Sequence, residues 1–305
     1  MDTSQDPRSE KTQSVCCTFM ILNYASAEES IKLARTVSTY DCIDNVLVVD
    51  NCSPDASYDT LRACLTGEKM SVIKTDYNGG YGYGNNCGIH HILSHHSACR
   101  HELAIISNSD LSVGEGDIKI LIDCFLSQHS CFAAGGKQIV TGVKNRVHYP
   151  WNIPTPRQCI AQFGYFLAKL IPFDSTDGID LTRTTSVGCL RGALFMVDCD
   201  RFASIGGYDE NMFLYYEETV LGIKAQRAGL KSYFCPDSKY YHEVSGSIGK
   251  VSNAISVRRH YLRSLSYVVK EYYGFNAPAQ LLCKTIGWIS LPIYAIRSVK
   301  RSLLG

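Results

Sequence analysis

CCTFMILNYASAEESIKLARTVSTYDCIDNVLVVDNCSPD, residues 16–55, decides the architecture of this chain. An apolar run (CCTFMIL), a helical pattern (SAEESIKLARTVSTY) and a second apolar run (NVLVVD) follow in an order that gives two parallel strands joined by a covering helix. Ser26 and Glu29 have capping-box spacing, which predicts where the first helix starts. The rhythm continues through SYDTLRACL, SVIKT, GIHHILSHH and LAIISN, so the expected fold is α/β, a Rossmann-like, mostly parallel sheet flanked by helices. Ligands of open α/β sheets gather beyond the carboxyl ends of the strands. Those ends carry Asn23 and Tyr24, Asp50 and Asn51, and Asn108 and Asp110.

The 305 residues, 45% hydrophobic and 19% charged, suffice for a substantial core and exclude a disordered chain. Fourteen cysteines at irregular spacings, with no Cys-x-x-Cys pair, read as reduced and mostly core thiols, which argues against a disulfide framework or structural zinc. Residues 1–14 are polar and read as a flexible tail, neither signal nor anchor. The net charge of +1 conceals +7 in residues 257–305, where eight Lys/Arg meet Glu271 alone, against −6 before it. The aliphatic content of LLCKTIGWISLPIYAIRSVKRSLL favours a membrane surface over nucleic acid as the partner of this basic segment. An amphipathic extension packed on the protein's own core is the equal alternative. Its longest uncharged run, Thr285 to Ile296, is interrupted by Pro292 and is short of the roughly 20 residues that span a bilayer. Residues 138–185, with Pro150, Pro154 and Pro156 around Trp151, lack periodicity and read as a long loop or insertion.

The Gly-rich segment NGGYGYGNNCG, residues 78–88, lacks the G-x-G-x-x-G fingerprint, and no Walker-type phosphate loop occurs. Asn78 and Gly79, with Asn85 and Asn86 read as lying ahead of a helix, suit backbone N–H groups presented to a nucleotide, or simply a tight turn with an Asn cap. Asp110 closes an apolar strand, where a carboxylate suits a divalent metal, and His242 follows a further strand-like run as a second possible ligand. The histidines at 90, 91, 95 and 96 read as helix surface, because no H-E-x-x-H arrangement is present. In MFLYYEETVLGIKAQRAG, residues 212–229, Glu217 and Glu218 sit at a helix start after Phe213, Tyr215 and Tyr216. Acids there meet the helix dipole, and burial beside aromatics raises a carboxyl pKa towards that of a general base.

Taken in order, TFMILNY, VLVVDNCSPD, NGGYGYGNNCGI, IISNSDL, GALFMVDCDRFASIGGYDENMFLYYEE and His242 with the SGS after it resemble the family 2 glycosyltransferases. These are inverting enzymes of the GT-A fold, and the resemblance is to their rhamnosyltransferase-like branch in bacterial surface-polysaccharide synthesis. It implies a catalytic domain over residues 15–250, with the irregular stretch on the acceptor side, and a basic helical extension over 251–305. It also implies that Asn23, Tyr24, Asp50, Asn51, Asn78, Gly79, Asn108 and Gly192 line the nucleotide-sugar pocket. Asp110 takes the last place of the family's D-x-D motif, with Asn108 in the first, and would hold Mg2+ or Mn2+ together with His242. Glu218 aligns with the catalytic base, with Glu217 beside it as the alternative. The partners implied are a nucleotide-diphosphate sugar and a glycan or lipid-linked oligosaccharide, at a cytoplasmic location, peripheral on the inner membrane. A galactofuranosyl or N-acetylglucosaminyl transferase, and a non-catalytic nucleotide-sugar or glycan-binding module, remain alternatives.

Overall fold

The structure, a computed structural model, describes residues 15–95, 99–141, 146–243 and 254–304. The expected tail at 1–14, His96 and the SGS at 245–247 lie outside these residues.

The opening half follows the expected alternation: β1 (Cys16–Asn23), α1 (Ala27–Val37), β2 (Asn45–Asp50), α2 (Ser57–Cys64), β3 (Met70–Lys74), α3 (Tyr81–Ser94) and β4 (Glu102–Asn108). Then come β5 (Leu111–Val113), α4 (Glu115–Ser127), β6 (Cys131–Thr141), β7 (Arg146–His148), α5 (Pro156–Phe163), α6 (Tyr165–Leu170) and β8 (Thr185–Val187). The rest comprises β9 (Leu194–Asp198), α7 (Cys199–Ser204), α8 (Glu217–Arg227), β10 (Lys231–Glu243), α9 (Ala254–Glu271) and α10 (Ala277–Leu304).

One sheet runs β3-β2-β1-β4-β9-β6-β10-β5, with β7 beside β6 and β8 beside β10. The β3-β2-β1-β4 half is parallel, and so is the β6–β10 pair. Antiparallel β9 lies between the two halves. Val46, Leu47, Val48 and Val49 are all buried without alternation, as expected of a strand covered on both faces. One apolar layer lies under α1 and α4 and a second under α3, α7 and α8. A third joins α5, α9 and α10 to Met212, Tyr216 and Val220, so the C-terminal helices pack on the loop that leads into α8.

Three local expectations are corrected. Ser26 does precede α1, but at φ −141° and ψ 44° its hydroxyl donates to the Tyr24 carbonyl (3.3 Å) and no capping box forms. Asn85 and Asn86 lie inside α3, whose cap is Gly80. Asn86 Nδ2 donates to the Tyr208 carbonyl and to Glu210 Oε1, which ties the helix to the 208–210 turn. Residues 138–185 are not one long loop: they complete β6, carry β7, α5 and α6, and end at the first residue of β8. Here α5 opens with the capping box that α1 lacks, in which the Gln158 N–H donates to Thr155 Oγ1 and the Thr155 N–H to Gln158 Oε1. All fourteen cysteines are free thiols, nine of them buried.

Candidate active site

The carboxyl ends of β1, β2, β3 and β4 share one edge of the sheet, and antiparallel β9 starts at that same edge, so Gly192 stands beside Asn108. The Asn108 N–H donates to the Ala193 carbonyl at 2.9 Å. Topology alone thus gathers segments that lie far apart in sequence.

Beneath this edge is a closed polar network. Asp50 is 0% exposed and accepts from Asn23 Nδ2 (2.8 Å), the Ser53 N–H (3.0 Å) and Ser53 Oγ (2.6 Å). Asn23 Oδ1 accepts in turn from Ser30 Oγ at 2.8 Å. Asn51 donates to Asn78 Oδ1 (3.1 Å) and to the Gly80 carbonyl (2.9 Å), and accepts from Thr75 Oγ1 (3.1 Å). Asp50, Asn23 and Asn51 therefore hold the floor together, while Tyr24 and Asn78 are more open.

The Gly-rich loop is locked to the carboxylate loop. Gly80 has φ +90°, and a Cβ there would overlap the Phe213 carbonyl, the acceptor of the Tyr81 N–H at 3.1 Å. A Cβ on Gly79 would fall 2.5 Å from the Tyr83 ring, so neither glycine is replaceable in this turn. From the first turn of α3, the Tyr81 hydroxyl donates to the Gly192 carbonyl at 2.6 Å.

Glu217 and Glu218 open α8 immediately after two left-handed residues, Tyr215 (φ 76°) and Tyr216 (φ 74°). Of the three aromatics before them, Tyr215 lies near Glu217, and burial together with that carboxylate's charge raises the tyrosine pKa. Tyr216 sits in the layer under α9, and the partly exposed Phe213 packs on the His260 ring 5.2 Å away. Glu217 is 4% exposed, its Oε1 has no partner, and burial together with the nearby Glu218 charge pushes its pKa up to about 8. Burial also raises Glu218, but backbone N–H groups, that of Gly192 among them, and the Arg191 cation counter it. Glu217 is therefore protonated at neutral pH, and the close pair does not carry two charges there. Glu218 also lies against Gly192, where a Cβ would come within 2.5 Å of Oε1.

Arg191 was not singled out in the sequence. Its Nε donates to the Tyr149 carbonyl (2.7 Å), its Nη2 to Asp174 Oδ2 (3.1 Å), and its guanidinium lies 4.6 Å from the centre of the Trp151 ring. The one signal was its place next to Gly192. Tyr81 had only its position in a Gly-rich run.

Asp110 and His242, 132 residues apart, meet through the β10–β5 pairing, with His242 Nε2 and Asp110 Oδ1 at 3.0 Å. Far from following its strand, His242 belongs to β10. Its Nδ1 lies 2.7 Å from the buried Gln138 Nε2. One carboxylate oxygen and one imidazole nitrogen are donors that suit a divalent cation such as Mg2+ or Mn2+. Metal on Nε2 requires the proton on Nδ1, and the Gln138 amide can accept that proton by turning its oxygen towards the ring. The donor set therefore fits a divalent cation. Gln138 could not be identified in the sequence, because its role depends on the register of β6 against β10. Cys16, Cys99 and Glu102, whose ligand atoms lie within 4.8 Å of one another, sit at the amino ends of β1 and β4, the opposite edge of the sheet. The His91 and His95 rings lie 4.2 Å apart, tilted at 40°, near the end of α3, where they line a pocket with Glu102.

No family model matches the chain. A low-salt glycan biosynthesis hexosyltransferase of Haloferax volcanii is 26% identical over 212 residues, 69% of this chain and 62% of that protein, so the match spans less than two thirds of the relative. An N-acetylglucosaminyl-diphospho-decaprenol L-rhamnosyltransferase of Mycobacterium tuberculosis is 23% identical over 248 residues, 76% of each chain. Among solved structures, a mannosyltransferase from Pyrobaculum calidifontis in complex with GDP-Man and Mn2+ superposes with a TM-score of 0.55. It is 14% identical and covers 97% of this chain and 76% of that one. In fold the chain is of the GT-A type, and in sequence it is similar to the family 2 glycosyltransferases of the rhamnosyltransferase-like branch.

Proposed function

We propose that this chain is an inverting glycosyltransferase that moves a sugar, rhamnose-type by preference, from a nucleotide diphosphate to a glycan acceptor, lipid-linked, in surface-polysaccharide synthesis. The reading is carried by one observation. Glu218, backed by a protonated Glu217, lies against Gly192 next to Arg191, at the sheet edge where Asp110 meets His242. Base, metal site and cation are what single displacement at a sugar diphosphate needs. The similarity to a decaprenol rhamnosyltransferase and to a mannosyltransferase solved with a nucleotide sugar supports the donor and acceptor classes.

The nucleotide lies over the floor held by Asp50, Asn23 and Asn51, against Tyr24, Asn78 and the Gly79–Gly80 backbone. Asn108 and Gly192 flank its diphosphate. Glu218 takes the proton of the acceptor hydroxyl as that oxygen bonds to the anomeric carbon from the face opposite the diphosphate. The carbon–oxygen bond to the diphosphate breaks, its electron pair leaves with the nucleoside diphosphate, and the configuration inverts. Arg191 faces the charge that develops on the leaving oxygens. Asp110 and His242 would hold the divalent cation, which when bound offsets the charge of the diphosphate. Residues 15–250 form the catalytic domain in this reading, and the basic extension at 251–305 keeps it on the cytoplasmic face of the membrane. Among the described residues no helix is long and apolar enough to cross a membrane.

Purified protein with Mn2+ is offered UDP-, GDP- and dTDP-sugars with a polyprenyl-diphosphate-linked acceptor. Nucleoside diphosphate released from one donor, lost with EDTA and lost in Glu218→Gln, is the expected result. Nucleotide binding without release from any donor would instead identify a binding module.

A further inference from the structure

A groove of about 370 Å3 separates α9 from α10, lined in part by Phe163, Arg259, Arg263, Ser266, Lys284 and Trp288. Arg259 and Arg263 are one turn apart on α9, and Lys284 and Trp288 one turn apart on α10, so three cations converge on one opening. All three are exposed, and among the described residues none is in an ion pair. No acid occurs in residues 277–304. Beside the groove Trp288 is 74% exposed, with Leu281, Leu282 and Ile289 also open to solvent. A second element extends this face: α6 packs against α10 and exposes Phe166 and Leu170, the latter 77% exposed. The sequence offered no reason to join α6, from the stretch read as irregular, to the basic C-terminal helix.

We propose that this composite surface of α6, α9 and α10 docks on an anionic phospholipid bilayer, with a lipid phosphate held in the groove by Arg259, Arg263 and Lys284. Large apolar side chains around unpaired cations, with a tryptophan at the boundary, match a headgroup layer above acyl chains. A second copy of the chain would bring the same cations into apposition, so self-association is disfavoured. Nucleic acid would leave Leu281, Leu282, Ile289 and Leu170 in water. The surface is tied to the carboxylate loop: the Ser264 hydroxyl donates to the Leu214 carbonyl (2.7 Å), and Tyr216 and Tyr261 share a hydrogen bond (2.8 Å). Docking would thereby set Glu218 near the membrane plane in which a lipid-linked acceptor lies, a consequence that rests on the transferase reading, whereas binding itself does not.

The full chain is floated with vesicles of phosphatidylcholine alone or of phosphatidylcholine mixed equally with phosphatidylglycerol, and donor turnover is read on the same preparation with Mn2+ and the polyprenyl-diphosphate-linked acceptor added. Wild type should float only with the anionic vesicles. The exposed triple variant Arg259→Gln, Arg263→Gln, Lys284→Gln should bind about a hundredfold more weakly, roughly fivefold per cation. Phe166→Glu on α6 should weaken binding without altering the far-ultraviolet circular dichroism. Equal binding to both vesicle types, an unaffected triple variant, or a stable dimer masking the face would overturn the proposal. Vesicle binding with no turnover of any donor would instead reject the transferase reading and leave the docking surface standing.

Discussion

Gly192→Ala tests the geometry of the site without touching a titratable group. The new Cβ would lie 2.5 Å from Glu218 Oε1 and 3.1 Å from its Cδ and Cγ, where ordinary contact begins at 3.4 Å. The carboxylate must therefore retreat by about 1 Å, and displacement of that size at a reacting group costs about a hundredfold in rate. The clash meets the far end of a flexible side chain, so the fold should lose little. The expected result is a kcat about a hundredfold lower, with nucleotide binding by calorimetry unchanged and a melting temperature close to wild type. Gly116→Ala, with nothing within 4 Å, is the neutral control. Adding Glu218→Asp shortens the side chain by one methylene and should restore part of the rate in the Gly192→Ala background while lowering it in wild type, a coupling that a double-mutant cycle measures. Wild-type kcat in Gly192→Ala, or additive effects in the cycle, would refute the placement of the base against Gly192.

The protonation assigned to Glu217 has a stability signature. Its folded pKa of about 8 lies above the ordinary 4.5, so wild-type stability is full below 4.5 and falls as pH rises to about 8. Glu217→Gln should abolish that fall and gain a few kcal/mol at about pH 9 but little at about pH 5; parallel melting curves would place the proton elsewhere. Gln138→Leu removes the partner of His242 Nδ1 and should weaken Mn2+ binding about tenfold or more by calorimetry while leaving nucleotide binding in EDTA intact. Asp50→Ala leaves the Ser53 N–H buried without an acceptor and Asn23 Nδ2 with only the 3.4 Å contact to Ser53 Oγ, and should cost about 2–3 kcal/mol in denaturant melts. A loss below about 1 kcal/mol would show the network to be dispensable.

The parallel half of the sheet was legible because each strand from β1 to β4 is a local apolar run followed by a helical pattern, and such periodicity survives without tertiary information. The meeting of Asp110 with His242 was expected from motif order and the structure brings the two together, whereas the contact of Gly192 with Glu218 was not expected. What escaped was set by long-range pairing. Gln138 reaches His242 only through the β6–β10 register, Arg191 acquires its orientation from Trp151 and Asp174, and α5 and α6 were masked by three prolines. Ser26 misled because capping-box spacing does not fix the backbone angle that brings the hydroxyl to the helix N–H.

The segment leading into α8 shows why the C-terminal helices belong to the account of the site. Two consecutive non-glycine residues in the left-handed region cost about 1–3 kcal/mol each, so the surroundings must offset that strain. The sheet supplies little of this. Asp209 is held by the hydroxyls of Tyr267 (3.0 Å) and Tyr272 (2.6 Å), Leu214 by Ser264, and Tyr216 by Tyr261. Apart from Tyr272, which immediately follows α9, all of these partners lie on that helix. A loop fixed by α9 as well as by α3 makes the position of Glu218 depend in part on how the C-terminal helices pack. Removing α9 should therefore lower kcat even for a soluble acceptor analogue. If turnover of such an analogue were untouched by truncation after Glu243, the strained turn would have to be held by the catalytic domain alone.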